Sequence, residues 1–187
     1  KMESLIQGVD VIPGTTEFGY SPTLVSKLGE NFSFIPENAR REGTESDWKT
    51  SLDFMQGVLP HVSTVALDVA WFGTDLRVSH CKIAPRVENK EKFSIPAWSA
   101  GGFNRLTANL VSQVDGRPAF GAAPDDVSVM DAIKDLRSRG HRVVLYPFIM
   151  MDIPADNPLP DPDTGTEGLP SYPWRGRIRK DALGASA

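Results

Sequence analysis

The chain has one cysteine, Cys81, so no internal disulfide can form. Its three histidines, His61, His80 and His141, are scattered, and no zinc site can be assembled from their spacing. No apolar run approaches the ~18 residues that a membrane-crossing helix needs. Charge of one sign is not in excess either. Twenty basic residues meet 24 acidic ones, and a net charge of −4 gives no general pull toward nucleic acid or an anionic membrane. There is no internal repeat and no low-complexity tract, and no cofactor or metal is implied. Lys1-Met-Glu-Ser4 does not begin a signal peptide, and a chain that opens on lysine is expected to be a piece of a longer polypeptide. What is present is ordinary for a folded domain: 187 residues, 40% hydrophobic and 24% charged.

The most informative stretch is His141–Arg177. A near-continuous apolar run, Val143–Met151, follows a short amphipathic pattern and breaks into a loop with six prolines between Pro154 and Pro173. Such a run behind a helix reads as a parallel strand buried on both faces. Thr64–Phe72 is a second candidate strand, β-branched and aromatic, stopped by Gly73. Between the two runs, Ala123-Pro-Asp-Asp126 opens a helix with proline and acids in its first turn, and Gly140 closes it. Two strands joined through a helix predict a parallel βαβ unit, with 126–139 as the crossover.

Upstream, Ser46 caps a helix whose apolar face is Trp48, Leu52, Met55 and Leu59, ended by Pro60. Ser4–Val11 reads as a short strand, and 18–41 has no clear period. Residues 76–123 alternate short strand-like pieces with turn clusters at Glu88-Asn-Lys, Ala100-Gly-Gly and Asp115-Gly, which predicts a β-rich insertion. The expected class is α/β. An irregular or β segment, 1–45, precedes a βαβ part, 46–187, that carries the insertion.

Candidate chemistry sits within or just after the two strands. Asp68, Asp75 and Asp152 are placed where an acid, a base or a sugar contact belongs in a barrel. Against this, Asp68 is expected to bond neighbouring backbone and Asp152 to cap a turn. Trp71, Trp98, Tyr172 and Trp174 are candidate platforms for sugar stacking or a partner, with loop packing as the plainer alternative. Arg175, Arg177, Arg179 and Lys180 form a basic tail cluster, by default a solvated surface. Asp161-Pro-Asp163 lacks the fifth-position acid and sixth-position glycine of a calcium loop. Cys81 beside His80 is a strand residue, since nothing orients the histidine.

Five segments carry a resemblance: Ser46-Asp-Trp48, Val69-Ala-Trp-Phe-Gly-Thr-Asp-Leu-Arg77, Val111-Ser-Gln-Val-Asp-Gly-Arg-Pro-Ala119, Tyr146-Pro-Phe-Ile-Met-Met-Asp152 and Tyr172-Pro-Trp-Arg-Gly-Arg-Ile178. In this order and spacing, from about Ile6 to Ile178, they resemble the large tail-tip protein of gene transfer agents and related siphophages. That family is known as the baseplate megatron or host-specificity protein, of the glycoside hydrolase/phage tail group. The resemblance implies the opening part of a TIM-barrel-like domain whose remaining strands follow. It further implies a place at the tail tip of a virion, with other tail-tip proteins as partners. A homo-oligomer around the tail axis (a trimer) and host surface polysaccharide as a contact belong to the same expectation. It carries over no catalytic residue. A glycoside hydrolase-like role for the whole domain is the competing expectation.

Overall fold

The computed structural model describes residues 2–12, 16–39, 45–119, 121–161 and 164–169. In chain order the strands and α-helices begin with β1 (Gly8–Val11), β2 (Ser26–Leu28), β3 (Phe34–Pro36), α1 (Asp47–Val58) and β4 (Thr64–Gly73). Eight two-residue strands follow: β5 (Ile83–Ala84), β6 (Arg86–Val87), β7 (Ser94–Ile95), β8 (Ser99–Ala100), β9 (Phe103–Asn104), β10 (Asn109–Leu110), β11 (Gln113–Val114) and β12 (Arg117–Pro118). Then come α2 (Asp126–Ser138) and β13 (Arg142–Met151). The protein is of mixed α/β class.

β4 is the centre of the main sheet. β13 runs parallel to it along its whole length, from Arg142 opposite Thr64 to Met151 opposite Gly73. The expected parallel pairing of the two apolar runs through one helix is therefore present. On the other edge of β4, β1 pairs in parallel, from Gly8 opposite Thr64 to Val11 opposite Leu67. β5 adds an antiparallel bridge near the end of β4. The segment before residue 46, expected as irregular or β with a short strand at Ser4–Val11, supplies an outer strand of the same sheet, and the unit is βαβαβ.

Both helices start where the sequence places caps. Ser46 Oγ accepts from the Lys49 amide, and Asp125 Oδ1 accepts from the Ser128 amide at 2.9 Å. Gly140, at φ +87°, turns the chain out of α2. Trp48 and Leu52 of α1 share one core with Val129, Ala132 and Leu136 of α2 and with Val65 and Leu67 of β4. Val9, Val11, Val69 and Val143 pack against the same core. Val65, Leu67 and Val69 of β4 face this core, so both helices lie on one face of the sheet.

The opposite face is open along its first part among the described residues, while Phe72 near its carboxyl end is buried in the cap core. Parallel register puts Asp10, Ala66, Asp68, Val144, Tyr146 and Phe148 on it. The expectation that Val143–Met151 is buried on both faces is corrected here. Val144, Leu145, Tyr146, Phe148 and Ile149 are all substantially exposed. The physical reason is position. β13 is an outer strand of the sheet, no described strand pairs beyond it, and α2 reaches only its beginning. Closure of the sheet into a barrel is not seen among the described residues.

The insertion and the N-terminal segment 16–39 form one β-rich cap at the carboxyl end of the parallel strands. β7 of the insertion pairs with β2 of the N-terminal segment. Phe18 and Val25 share a core with Phe72, Val87, Trp98, Ala100, Ala108, Val111 and Ala123. Two of the three turn clusters read from sequence, those at Ala100-Gly-Gly and Asp115-Gly, are hairpin turns. Gly101 and Gly102 join β8 to β9, and Asp115 and Gly116 join β11 to β12. All four have positive φ, as tight two-residue hairpins require.

Candidate functional site

Asp152 leaves the end of β13 and is wholly buried. Its amide donates to the Gly73 carbonyl at 3.0 Å, which fixes the chain across the end of β4. Arg86 meets it with two bonds: Nη1 to Oδ2 at 2.8 Å and Nη2 to the Asp152 carbonyl at 2.7 Å. The Ser112 amide donates to Oδ2 at 2.8 Å, and the Ser112 hydroxyl bonds Oδ1. Arg86 also lies over the Phe72 ring, 5.9 Å from its centroid. Burial pulls the Arg86 pKa down and the charge of Asp152 opposes that shift. With four donors on its side chain and carbonyl, Asp152 is a clamp between β13 and the insertion. It is neither a turn cap nor an acid facing a cleft.

Asp75 makes a similar clamp one turn past β4. Oδ1 accepts from the Arg77 amide at 2.8 Å and from Arg77 Nη1 at 3.1 Å, and Oδ2 accepts from Asn157 Nδ2 at 2.8 Å. Asn157 belongs to the proline-rich loop, so this contact ties the loop down. The same loop bonds to itself. The Asp161 amide donates to the Thr166 carbonyl at 2.8 Å, and the Gly165 amide to the Asp161 carbonyl at 2.7 Å.

Trp71 packs against the cap core with its ring over the Gly101 backbone. A Cβ at Gly101 would come within 2.4 Å of Trp71 Cη2. Trp98 is buried and donates Nε1 to the Ala123 carbonyl at 3.0 Å. These two indoles are packing groups of the cap. Tyr172, Trp174, Arg175 and Arg177, with Arg179 and Lys180, lie outside the described residues.

Asp68 differs from the other acids. It sits midway along β4 on the uncovered face, and one carboxylate oxygen is shielded without a hydrogen-bond partner. Its backbone carbonyl, together with that of Val11, accepts from the Tyr20 hydroxyl at 2.6 and 3.0 Å. Partial burial and the charge of Asp10 on β1 push its pKa above the usual 3.8. Asp68 and Asp152 are not brought together. Five residues of strand separate Asp68 from Gly73, roughly 16 Å at ~3.3 Å per residue. A glycosidase carboxylate pair stands ~5–10 Å apart.

Sequence spacing gave no sign of a third cluster. Glu17, wholly buried, takes a bidentate bond from Arg105 at 2.8 and 2.7 Å. Glu17, Glu37 and Glu88 bring one carboxylate oxygen each within 4.8 Å of one another, the arrangement of a cation site. Lys92 supplies the cation: its ammonium is 3.0 Å from Glu17, 2.7 Å from Glu37 and bonded to Glu88. Burial would lower the Lys92 pKa, but the three carboxylates outweigh it and raise it. Burial would likewise raise Glu37, and the bonds from Lys27 and Lys92 hold it below its ordinary 4.5. Alongside runs an open groove of about 770 Å³, bordered by Lys27, Leu28, Lys90, Lys92, Phe93 and Leu110. Each of its three lysines already has a partner: Lys27 with Glu37, Lys92 in the cluster, and Lys90 with the carbonyls of Leu106 and Ala108.

No protein-family model matches this sequence, and no curated protein matches it.

Proposed function

We propose that this chain is a structural component of a phage or phage-like tail tip, contributing to host recognition and attachment at the baseplate of a virion. In this proposal the βαβαβ unit opens a TIM-barrel-like domain. Parallel strands with both helices on one face are the geometry of a barrel wall, whereas a doubly wound sheet carries helices on both faces. The five-segment resemblance points the same way.

One observation carries the proposal: β13 is a ten-residue apolar strand whose outer edge no described strand pairs, with exposed side chains on both faces. Soluble proteins cover or charge such an edge. Further strands of a barrel, or neighbouring tail-tip proteins, are the natural cover, and the acids at the carboxyl end are already spent on clamps. The test is genetic. Deleting this segment in a strain that makes the particles should leave heads and tail tubes but abolish adsorption to the host. Normal adsorption would overturn the proposal.

A second reading, part of a glycoside hydrolase-like domain, is favoured by one feature. Asp68 and Asp10 share the uncovered face, which would line a closed barrel, and Asp68 has a raised pKa. Hydrolysis of host surface polysaccharide by the complete domain, lost on Asp68→Asn, would establish it.

A further inference from the structure

Asp115-Gly116 is the single place in the chain where an aspartate precedes glycine, and no asparagine precedes one. The pair forms the two-residue turn between β11 and β12, and residues 113–118 are all exposed. The two strands meet through only two residue pairs, Val114 with Arg117 and Gln113 with Pro118, in a sheet of their own. A lone two-stranded ribbon of this length is marginal in water, so the turn opens locally without disturbing the rest of the fold.

Three features prepare the turn to react with itself. The Asp115 carboxylate makes no hydrogen bond or ion pair among the described residues, whereas Asp75, Asp125, Asp135 and Asp152 are all bonded. The Gly116 amide makes no backbone hydrogen bond, because the ladder at the turn belongs to Val114 and Arg117. Gly116 also leaves its nitrogen unshielded, since even a Cβ there would meet nothing within 4 Å. Asp115 is held at φ +50°, a region that disfavours residues with a Cβ, so leaving the turn conformation relieves strain.

We propose that Asp115 is a site of spontaneous isoaspartate formation. The Gly116 nitrogen bonds to Asp115 Cγ, the amide proton leaves with the carboxyl hydroxyl as water, and a succinimide ring closes. Water then adds back to one ring carbonyl. Addition at Cγ restores aspartate. Addition at the main-chain carbonyl carbon breaks its bond to the Gly116 nitrogen, frees an α-carboxylate and leaves the chain joined through Cγ. Nothing is oxidised or reduced, and water is the one co-reactant. The product keeps its charge but gains a methylene in the backbone, which a two-residue turn cannot absorb without losing register. Gln113, Gly116 and Pro118 of this hairpin border the groove beside the ion cluster, so the rim of that groove changes as the protein ages. The inference is independent of the tail-tip proposal.

The test is to age the 187-residue chain for weeks at neutral pH and body temperature, folded and in urea. Peptides are then mapped by mass spectrometry, and isoaspartate is counted by methyl transfer from an isoaspartate methyltransferase. In the folded chain the Asp115 peptide should carry more isoaspartate than all other aspartates combined, with a fraction one water lighter. Asp115→Asn keeps a pair suited to the turn and should convert sooner, releasing ammonia. Asp115→Glu cannot close the same ring and should abolish the product with unchanged circular dichroism. A folded chain that keeps Asp115 intact would overturn the proposal, and conversion of the same peptide in urea would show that the turn protects it. Isoaspartate spread evenly over the aspartates, or undiminished in Asp115→Glu, would overturn it as well.

Discussion

Trp48 Nε1 donates to Asp135 Oδ2 at 2.9 Å, joining α1 to α2 on the face they share. Asp135 also holds Arg139, whose guanidinium reaches back to Asp53 and Gln56 of α1. The two crossover helices are therefore locked to each other as well as to the sheet. Trp48→Phe keeps the ring and removes the donor. It should cost about 1–2 kcal/mol in urea unfolding, the worth of one bond to a charged acceptor that keeps another partner. An unchanged midpoint would show that the helix pair is held by packing alone.

The Arg86–Asp152 pair gives a sharper case. Arg86→Met strips the charge from a wholly buried carboxylate and should cost about 3–5 kcal/mol. Arg86→Met with Asp152→Leu removes both charges and should recover much of that loss. If the double variant is no better than the single one, the clamp acts through the Ser112 bonds and not through the ion pair.

The main frame was legible because it is local. Ser46, Asp125 and Gly140 mark helix ends through their own backbone geometry, and the two apolar runs announce parallel strands. Ser4–Val11 reads as a short strand, and Gly8–Val11 forms one, but its place in the sheet is not legible because so short a run does not reveal its partner. The candidate acids were legible as acids but not as clamps. Asp152 finds Arg86 across 66 residues, and Arg105 finds Glu17 across 88, separations that no spacing rule spans. The exposure of β13 was not legible at all. Apolar content reports what a strand needs, and whether a neighbour supplies it lies outside the strand.

The ion cluster of the cap should set a pH window. Glu37 has a folded pKa below 4.5, so its contribution is present above 4.5 and is lost as pH falls through the lowered value. Lys92 has a folded pKa above 10.5, so its contribution is present below 10.5 and is lost as pH rises through the raised value. Lys92→Met leaves Glu17, Glu37 and Glu88 facing one another. Its melting point should fall most at pH 7, and the deficit should shrink toward pH 4 as carboxylates take up protons. A deficit independent of pH would mean that Lys92 acts by packing.

Asp68 carries the opposite sign. Its raised pKa means that the fold disfavours the ionised carboxylate, a penalty present at neutral pH and relieved as pH falls through the raised value. Asp68→Asn should raise the melting point at pH 7 and leave it nearly unchanged at pH 3. A lower melting point at pH 7 would show that the charge is stabilised by a partner on the uncovered face.

The 187-residue chain alone should release no reducing sugar from host envelope polysaccharide, because Asp75 and Asp152 are consumed in buried clamps and the sheet that carries Asp68 and Asp10 is not closed into a barrel among the described residues. Sugar release that survives Asp152→Asn but not Asp68→Asn would promote the glycoside hydrolase-like reading.

The central claim is a place at the tail tip, and location tests it most directly. Antibodies raised against the cap segment 76–119 should be used in immunogold electron microscopy of purified tailed particles from the source strain. Gold confined to the end of the tail distal to the head is the result the account predicts. Particles that carry no gold, while the protein is found in a separate soluble fraction, would contradict it.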